Sequence, residues 1–347
     1  MKKIIFFVIA GVVGIALLVG VLHTVGLSSI WNTISEFSFA KWFFILFLYA
    51  LSFFVLQYRW KLILKSQGYD LTMAKTFPAK IVGFAVDYFT PSPNAGFGET
   101  FRAYVLKRDA GVPFKEGLAS VVIDKVMDFS FALPFLIFSI FYALIKFTLS
   151  WKIVALLLLV SILFIFFILL FYYRTLRSQS FFGSIIRLFR LHRLSFIERV
   201  MEKIGQFELI IIRFFRDHRR TLMYSLLLSF IGNAITLMAM WMIMIFLGLD
   251  ATFLHAILVS TLMVITFLLP IPGSLGSTET GGALIFNLLG FPAGSGVAFT
   301  LIFRSVDFLK VIVGFLFLSH FGMRVSESLF KRSIPGNGEP KIHDVHE

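Results

Sequence analysis

Between Ile153 and Tyr172 the chain runs through twenty consecutive positions without a charged side chain. That matches the ~20 residues an α-helix needs to cross the ~30 Å hydrocarbon core of a bilayer. Further apolar runs occur at about Ile4–Leu22, Trp42–Leu56, Leu118–Leu144, Leu222–Leu247 and Val297–Phe317. Inside a bilayer the backbone must satisfy its own hydrogen bonds, which leaves helices or closed barrels. Barrel strands alternate apolar and polar residues, and these runs do not. The sequence therefore predicts an all-α polytopic membrane protein with about six to eight transmembrane helices. Composition agrees: 58% of residues are hydrophobic and 15% charged, against roughly 45–50% and 25% in soluble domains.

The net charge of +13 fits cytoplasmic loops rich in lysine and arginine beside anionic lipid headgroups. No nucleic-acid-binding module accompanies it, so nucleic acid is not an expected partner. Cysteine is absent, which removes disulfides, thiolate metal sites and cysteine catalysis. Met1-Lys2-Lys3 before Ile4–Leu22 resembles a signal sequence, but the apolar run is long and no clean small-x-small site follows. It reads as an uncleaved first span with a cytoplasmic N-terminus. Arg59, Lys61 and Lys65 mark a cytoplasmic end of the Trp42–Leu56 run, and Arg324, Lys331 and Arg332 place the C-terminus in the cytoplasm. The expected location is the cell membrane. Residues 174–220 carry eleven basic residues against four acids, with Ile197, Val200, Ile204, Phe207, Ile211 and Phe214 at helical spacing. That pattern predicts a basic amphipathic cytoplasmic linker helix. The domain reading is one membrane domain, 1–324, and a polar cytoplasmic tail, 325–347.

Two stretches interrupt this apolar background. Thr90–Phe129 contains Pro91, Pro93, Gly96, Gly98 and Glu99, and Leu269–Phe308 contains Pro270, Pro272, Gly273, Gly276 and Glu279. At a constant offset of 179, Pro91, Pro93, Gly111, Pro113, Gly117, Ala119, Asp128 and Phe129 meet identical residues, and Lys125 meets Arg304. Glu99 meets Glu279 after one inserted residue. The offset defines two repeats, about 41–129 and 220–308. The apolar segments before the breaks, Met73–Phe89 and about Thr252–Leu269, are marginal for a full crossing. A re-entrant hairpin, buried or lining a wet cavity, suits such a segment, and the positive charges after the first break favour it. A complete crossing with Arg102 outside remains the alternative. The run before the first break travels outside to inside and the one before the second travels inside to outside. The pair is therefore expected to form an inverted-topology repeat, whose broken segments commonly meet at a midplane substrate site.

The charges in these segments are the candidate lipid-binding or pathway residues: Lys125, Arg304, Asp124, Asp128, Asp307, Glu99, Glu279 and Arg102. Charges inside spans are expensive and face a cavity or one another. Lys125–Asp128 and Arg304–Asp307 are spaced i,i+3 and can meet on one helix face. Two readings are open. Lys125 and Arg304 hold an anionic lipid phosphate, or each is neutralised by its own aspartate or by Glu99 and Glu279. The glutamates, at helix starts after Gly-rich turns, suit capping, proton coupling or headgroup contact. Arg102, three residues after Glu99, is a candidate partner for it. No catalytic or metal motif is present, and no cofactor is expected.

The run Pro91, Pro93, Gly96, Gly98, Glu99, Arg102, with Pro270–Glu279 and the GFPAGSGVAFTLIFRSVDF stretch after it, resembles the lysylphosphatidylglycerol synthase transmembrane-region family, the flippase-like integral membrane proteins. The resemblance covers about Lys2 to Arg324. It departs at Phe97-Gly98, where a second glycine usually precedes the glutamate, and at Gly273–Glu279, where the usual spacing is shorter. It implies a stand-alone member lacking the synthase domain, and a translocase moving an anionic phospholipid or polyprenyl-phosphate-linked lipid between leaflets. The alternative it implies is a non-transporting accessory subunit of a lipid-modifying glycosyltransferase or aminoacyltransferase. Membrane lipids, anionic ones above all, are the expected partners.

Overall fold

The computed structural model describes residues 2–35, 37–90, 96–146, 151–181, 183–184, 195–267 and 271–333. Among them every regular element is helical. The helices are α1 (Lys2–Val25), α2 (Leu27–Ser35), α3 (Phe39–Ser66), α4 (Met73–Phe89), α5 (Phe97–Ala110), α6 (Phe114–Lys146), α7 (Trp151–Leu176), α8 (Ser195–Asp217), α9 (Arg219–Phe246), α10 (Phe253–Phe267), α11 (Ser277–Leu288) and α12 (Ala293–Ser333). A 3₁₀ turn, Pro272–Ser274, separates α10 from α11. Helices α3, α6 and α9 are long and apolar enough to cross a membrane, so this is an all-α membrane protein.

Helix length divides the elements into two kinds. At 1.5 Å per residue, α3 and α9, 28 residues each, reach about 42 Å. Helix α4 with 17 residues and α5 with 14 reach only about 26 and 21 Å, and α10 with 15 and α11 with 12 about 23 and 18 Å, all below the ~30 Å core. The short helices come in packed pairs, α4 on α5 and α10 on α11, and each pair leans on the long helix that follows it, α6 or α12. Across the molecule α4 packs on α12 and α10 on α6.

Helices α3 and α9 form the central pair, and they run antiparallel. Lys41 Nζ donates to the Phe246 carbonyl, Ser52 Oγ to the Gly232 carbonyl, and Arg59 to Ser229 Oγ, so partners descend along α9 as residues ascend along α3. Between them lies a core of Ile45, Leu48, Tyr49, Ala239, Met240, Ile243 and Met244, continued by Phe286, Phe299 and Val306.

The elements end in matching ways. Gly68-Tyr69-Asp70-Leu71-Thr72 after α3 and Gly248-Leu249-Asp250-Ala251-Thr252 after α9 repeat three of five residues at an offset of 180. Their backbones turn alike: Gly68 and Gly248 have φ of 93° and 75°, and Leu71 N–H donates to the Tyr69 carbonyl as Ala251 N–H does to Leu249. Positive φ is strained for residues with a Cβ.

Several boundaries differ from the sequence expectation. Helix α3 runs ten residues past Leu56, carrying Arg59 into the interior with no exposure. Arg59 is thus an interior residue rather than an exposed cytoplasmic marker; buried Asp124 and half-exposed Asp128 neutralise it. The segment after α1 contains a helix, α2, with Trp31 largely exposed. Helix α12 continues through Arg324 to Ser333, across the boundary between membrane domain and tail; residues 334–347 lie outside the described ones. The linker does contain a helix, α8. Its described apolar residues Ile211, Phe214 and Phe215 are buried with Ile123 and Met127 of α6 and Phe171 of α7, so protein covers that half of the stripe. The side chains of Ile197, Val200 and Ile204 lie outside the described set.

Candidate functional site

Both turns between short helices are built the same way. Gly96, with φ 82°, caps α5, and Gly276, with φ 76°, caps α11. Glu99 and Glu279 each stand three residues later, in the first turn, where the helix dipole favours an acid. Each then reaches the long helix that follows. Lys125 Nζ donates to Glu99 Oε1 at 2.7 Å, and Arg304 Nη1 to Glu279 Oε1 at 2.8 Å. The residue pair common to both repeats is therefore acid-on-turn to base-on-long-helix, and the i,i+3 pairs do not form. Asp128 instead accepts from Arg59 at 2.6 Å and Asp307 from Lys310 at 2.5 Å. Arg102 pairs with Asp124 Oδ2 at 2.9 Å, not with Glu99.

The two ends differ in saturation. Glu279 is complete, its second oxygen accepting the Gly276 N–H at 2.8 Å. Arg304 is nearly so. Nη1 also donates to the Ser274 carbonyl, and Nη2 to the Gly273 carbonyl at 2.7 Å and to Tyr88 Oη at 3.1 Å. Its guanidinium is a brace that fixes the second turn and touches the first hairpin through Tyr88. In the first hairpin Glu99 Oε2 is buried without a partner, and Lys125 keeps 34% of its side chain exposed. Asp87 accepts the Gly98 N–H at 2.7 Å.

Where the end of α4 meets the second turn there is a cavity of about 360 Å³. Asp87 and Tyr88 of α4, Lys125 of α6, Gly273 and Ser274 of the second turn, and Asp307 and Lys310 of α12 supply its polar wall. Tyr49, Phe53, Phe84 and Phe303 supply its apolar one. Lys310 Nζ lies 4.3 Å from the centre of the Phe84 ring, a cation–π distance. Beneath the cavity lies a second charge group. Arg59 donates to Asp124 Oδ1, to the Asp124 carbonyl, to Asp128 Oδ1 and to Ser229 Oγ. Arg102 stacks 4.1 Å from the centre of the Trp60 ring.

The cavity thus brings together Lys125 and Asp307, with Glu99, Glu279 and Arg304 bound just behind it; Asp124, Asp128 and Arg102 belong to the deeper group. Of the turn residues, Pro272, Gly273, Gly276, Gly96 and Gly98 are in place at the two apices, whereas Pro91, Pro93 and Pro270 lie outside the described residues. Sequence reasoning missed Arg59, Lys80, Asp87, Tyr88 and Lys310. Lys80 and Asp87 carried a signal, since each is a charge inside a short apolar segment. Among the described residues, no group of three or more His, Asp or Glu side chains is placed to hold a metal ion.

Comparison with known proteins agrees with this architecture. Residues 7–314 match the model of the lysylphosphatidylglycerol synthase transmembrane region. The chain belongs to that family. Its similar relatives include a UPF0104 membrane protein of Methanothermobacter thermautotrophicus, 25% identical over 334 residues, covering 92% of this chain and 97% of the relative. UPF0104 membrane proteins of Pyrococcus horikoshii and Methanocaldococcus jannaschii are 23% and 25% identical, covering 81% and 76% of this chain and 87% and 79% of their own lengths. No solved structure matches. The family match takes in both turns, Lys125 and Arg304, and ends within α12.

Proposed function

We propose that this member of the family is a lipid translocase, moving an anionic phospholipid or polyprenyl-phosphate-linked lipid between leaflets. Its headgroup would pass through the cavity between α4, α6, α12 and the second turn. The observation that carries this reading is the cavity itself: a largely apolar space with one lysine-bearing polar wall, beside helices too short to span a bilayer. Antiparallel α3 and α9, matched turns after them, and the shared acid–base pair support an inverted-topology repeat, the arrangement that places broken helices at a midplane site. Half-buried Lys125, with Lys310, suits a phosphate as a point charge. Arg304, its terminal nitrogens already engaged, serves this function by shaping the second turn.

Leaflet exchange in proteoliposomes tests the reading. Fluorescent phosphatidylglycerol and a polyprenyl phosphate are followed by quencher accessibility, in wild type and in Lys125→Ala. The wild type is expected to accelerate exchange of at least one of the two, and the variant to slow it about tenfold, a loss of ~1.4 kcal/mol. Exchange by Lys125→Ala at the wild-type rate would remove the phosphate site, and no acceleration by wild type with either lipid would remove the translocase.

A further inference from the structure

The deeper charge group has a surplus. Lys80 projects from α4 among Arg59, Arg102, Asp124 and Asp128, its charged neighbours. Its stem is half-buried, but its amine is out of reach of solvent and has no hydrogen-bond partner. The contact it does make is with the face of Phe53, 5.6 Å away. Arg102, 7% exposed, directs one nitrogen to Asp124, while its Nε is also buried and unpartnered. The two orphan donors come from adjoining backbone: the Arg102 stem lies against Gly83, where an added Cβ would stand 2.3 Å from Arg102 Cγ, one helical turn from Lys80.

Around Lys80, three cations, its own included, face two carboxylates, leaving one positive charge in surplus; Asp87 and Glu99 act on Arg102 from the cavity side. Asp87 lies two helical turns from Lys80, about 10.5 Å along the axis, and is turned to the Gly98 N–H. Glu99 and Lys125 neutralise each other. Gln57 Oε1, one turn from Phe53 on α3, is another buried atom without a partner, but an amide satisfies a hydrogen bond and leaves the charge in place. A buried orphan donor signals a water or ion, and an uncompensated charge in a low-dielectric interior costs several kcal/mol. Water answers both only with a neutral amine; a small anion answers both with the amine charged.

The geometry points to a binding site for one chloride-sized monovalent anion, held by the Lys80 amine and the Arg102 Nε–H beneath the headgroup cavity. This site stands apart from the translocase reading. Lys80 does not line the cavity, so a lipid phosphate is not its ligand.

Equilibrium dialysis of radiolabelled chloride against the purified full-length protein in gluconate buffer tests it, with thermal unfolding alongside. Wild type is expected to bind about one chloride per chain and to melt about 2 °C or more higher in saturating chloride or bromide than in gluconate. Lys80→Met is expected to weaken chloride binding at least tenfold and Lys80→Arg to retain it. Absence of saturable chloride binding by wild type overturns the proposal. So does undiminished binding by Lys80→Met. Should Lys80→Met fail to fold, the wild-type comparison of chloride and bromide with gluconate decides alone. Displacement of chloride by short-chain phosphatidylglycerol would assign the anion to the headgroup cavity and overturn a separate site. Failure of lipid exchange leaves each of these readouts intact.

Discussion

At the scale of single residues, the decisive side chain is Arg59. Its guanidinium ties α3 to α6 and α9, and through Asp124 to Arg102 of α5. Removing one member of a buried ion pair strands its partner at a cost of about 3–5 kcal/mol. Arg59→Met is therefore expected to destabilise the protein by that amount, measured by thermal unfolding in detergent. Adding Asp128→Asn should return little of the loss, because Asp128 keeps 37% of its side chain exposed and water can meet it. Unchanged unfolding of Arg59→Met would show that the pair contributes nothing. Nothing local in the sequence marks Arg59 as buried. It stands beside Lys61 and Lys65, and counting cations treats the three alike, whereas its partners are 65 and 69 residues away. Glu99 and Glu279 were more legible, since a glycine turn followed by an acid predicts a helix start. Which base each would choose depended on the packing of the next helix.

At the scale of elements, the hairpins depend on backbone approach. In the first, an added Cβ on Gly98 would stand 2.2 Å from the Gly83 carbonyl oxygen and 2.3 Å from the Asp87 carboxyl carbon. Gly98→Ala must part α4 from α5, and overpacking of this kind costs about 1–3 kcal/mol. Gly117, where α6 crosses α5, offers its Cβ ordinary contacts of 3.4–3.5 Å with Ala103, so Gly117→Ala is expected to stay within about 0.5 kcal/mol of wild type. Denaturation midpoints of the two variants check this, and equal losses would contradict the close approach. The hairpins were readable because Pro and Gly interrupt apolar runs too short to span. Helix ends were read less well. Apolarity stops at Leu56 and Phe317, but α3 and α12 continue, since hydrogen bonding along a helix does not require an apolar face. The matched turns at Gly68 and Gly248 were present in the sequence as a five-residue echo.

At the scale of the whole molecule, the repeat makes a claim about sidedness. The absence of cysteine allows single probes to be introduced. Thr100→Cys in α5 and Leu275→Cys at the second turn, both at exposed positions, are expected to react with a membrane-impermeant maleimide from opposite sides of sealed vesicles. Labelling from the same side would refute inversion. Membrane class and family were evident from apolarity and from the two motifs. The cavity was not, because it forms from residues of α3, α4, α6, α9 and α12 that no spacing rule brings together.

Each turn is tied to the long helix behind it by a charge-assisted pair, and such bonds are worth about 1.5–3 kcal/mol. At the apices Tyr88 Oη and Arg304 are joined by one hydrogen bond of 3.1 Å, of the same modest class. The second turn, clasped by several bonds to Arg304, therefore belongs with α12 as one body. Tyr88 is thus the polar stitch between the first hairpin and that body, while α4 against α12 and α10 against α6 carry the apolar packing across the two repeats.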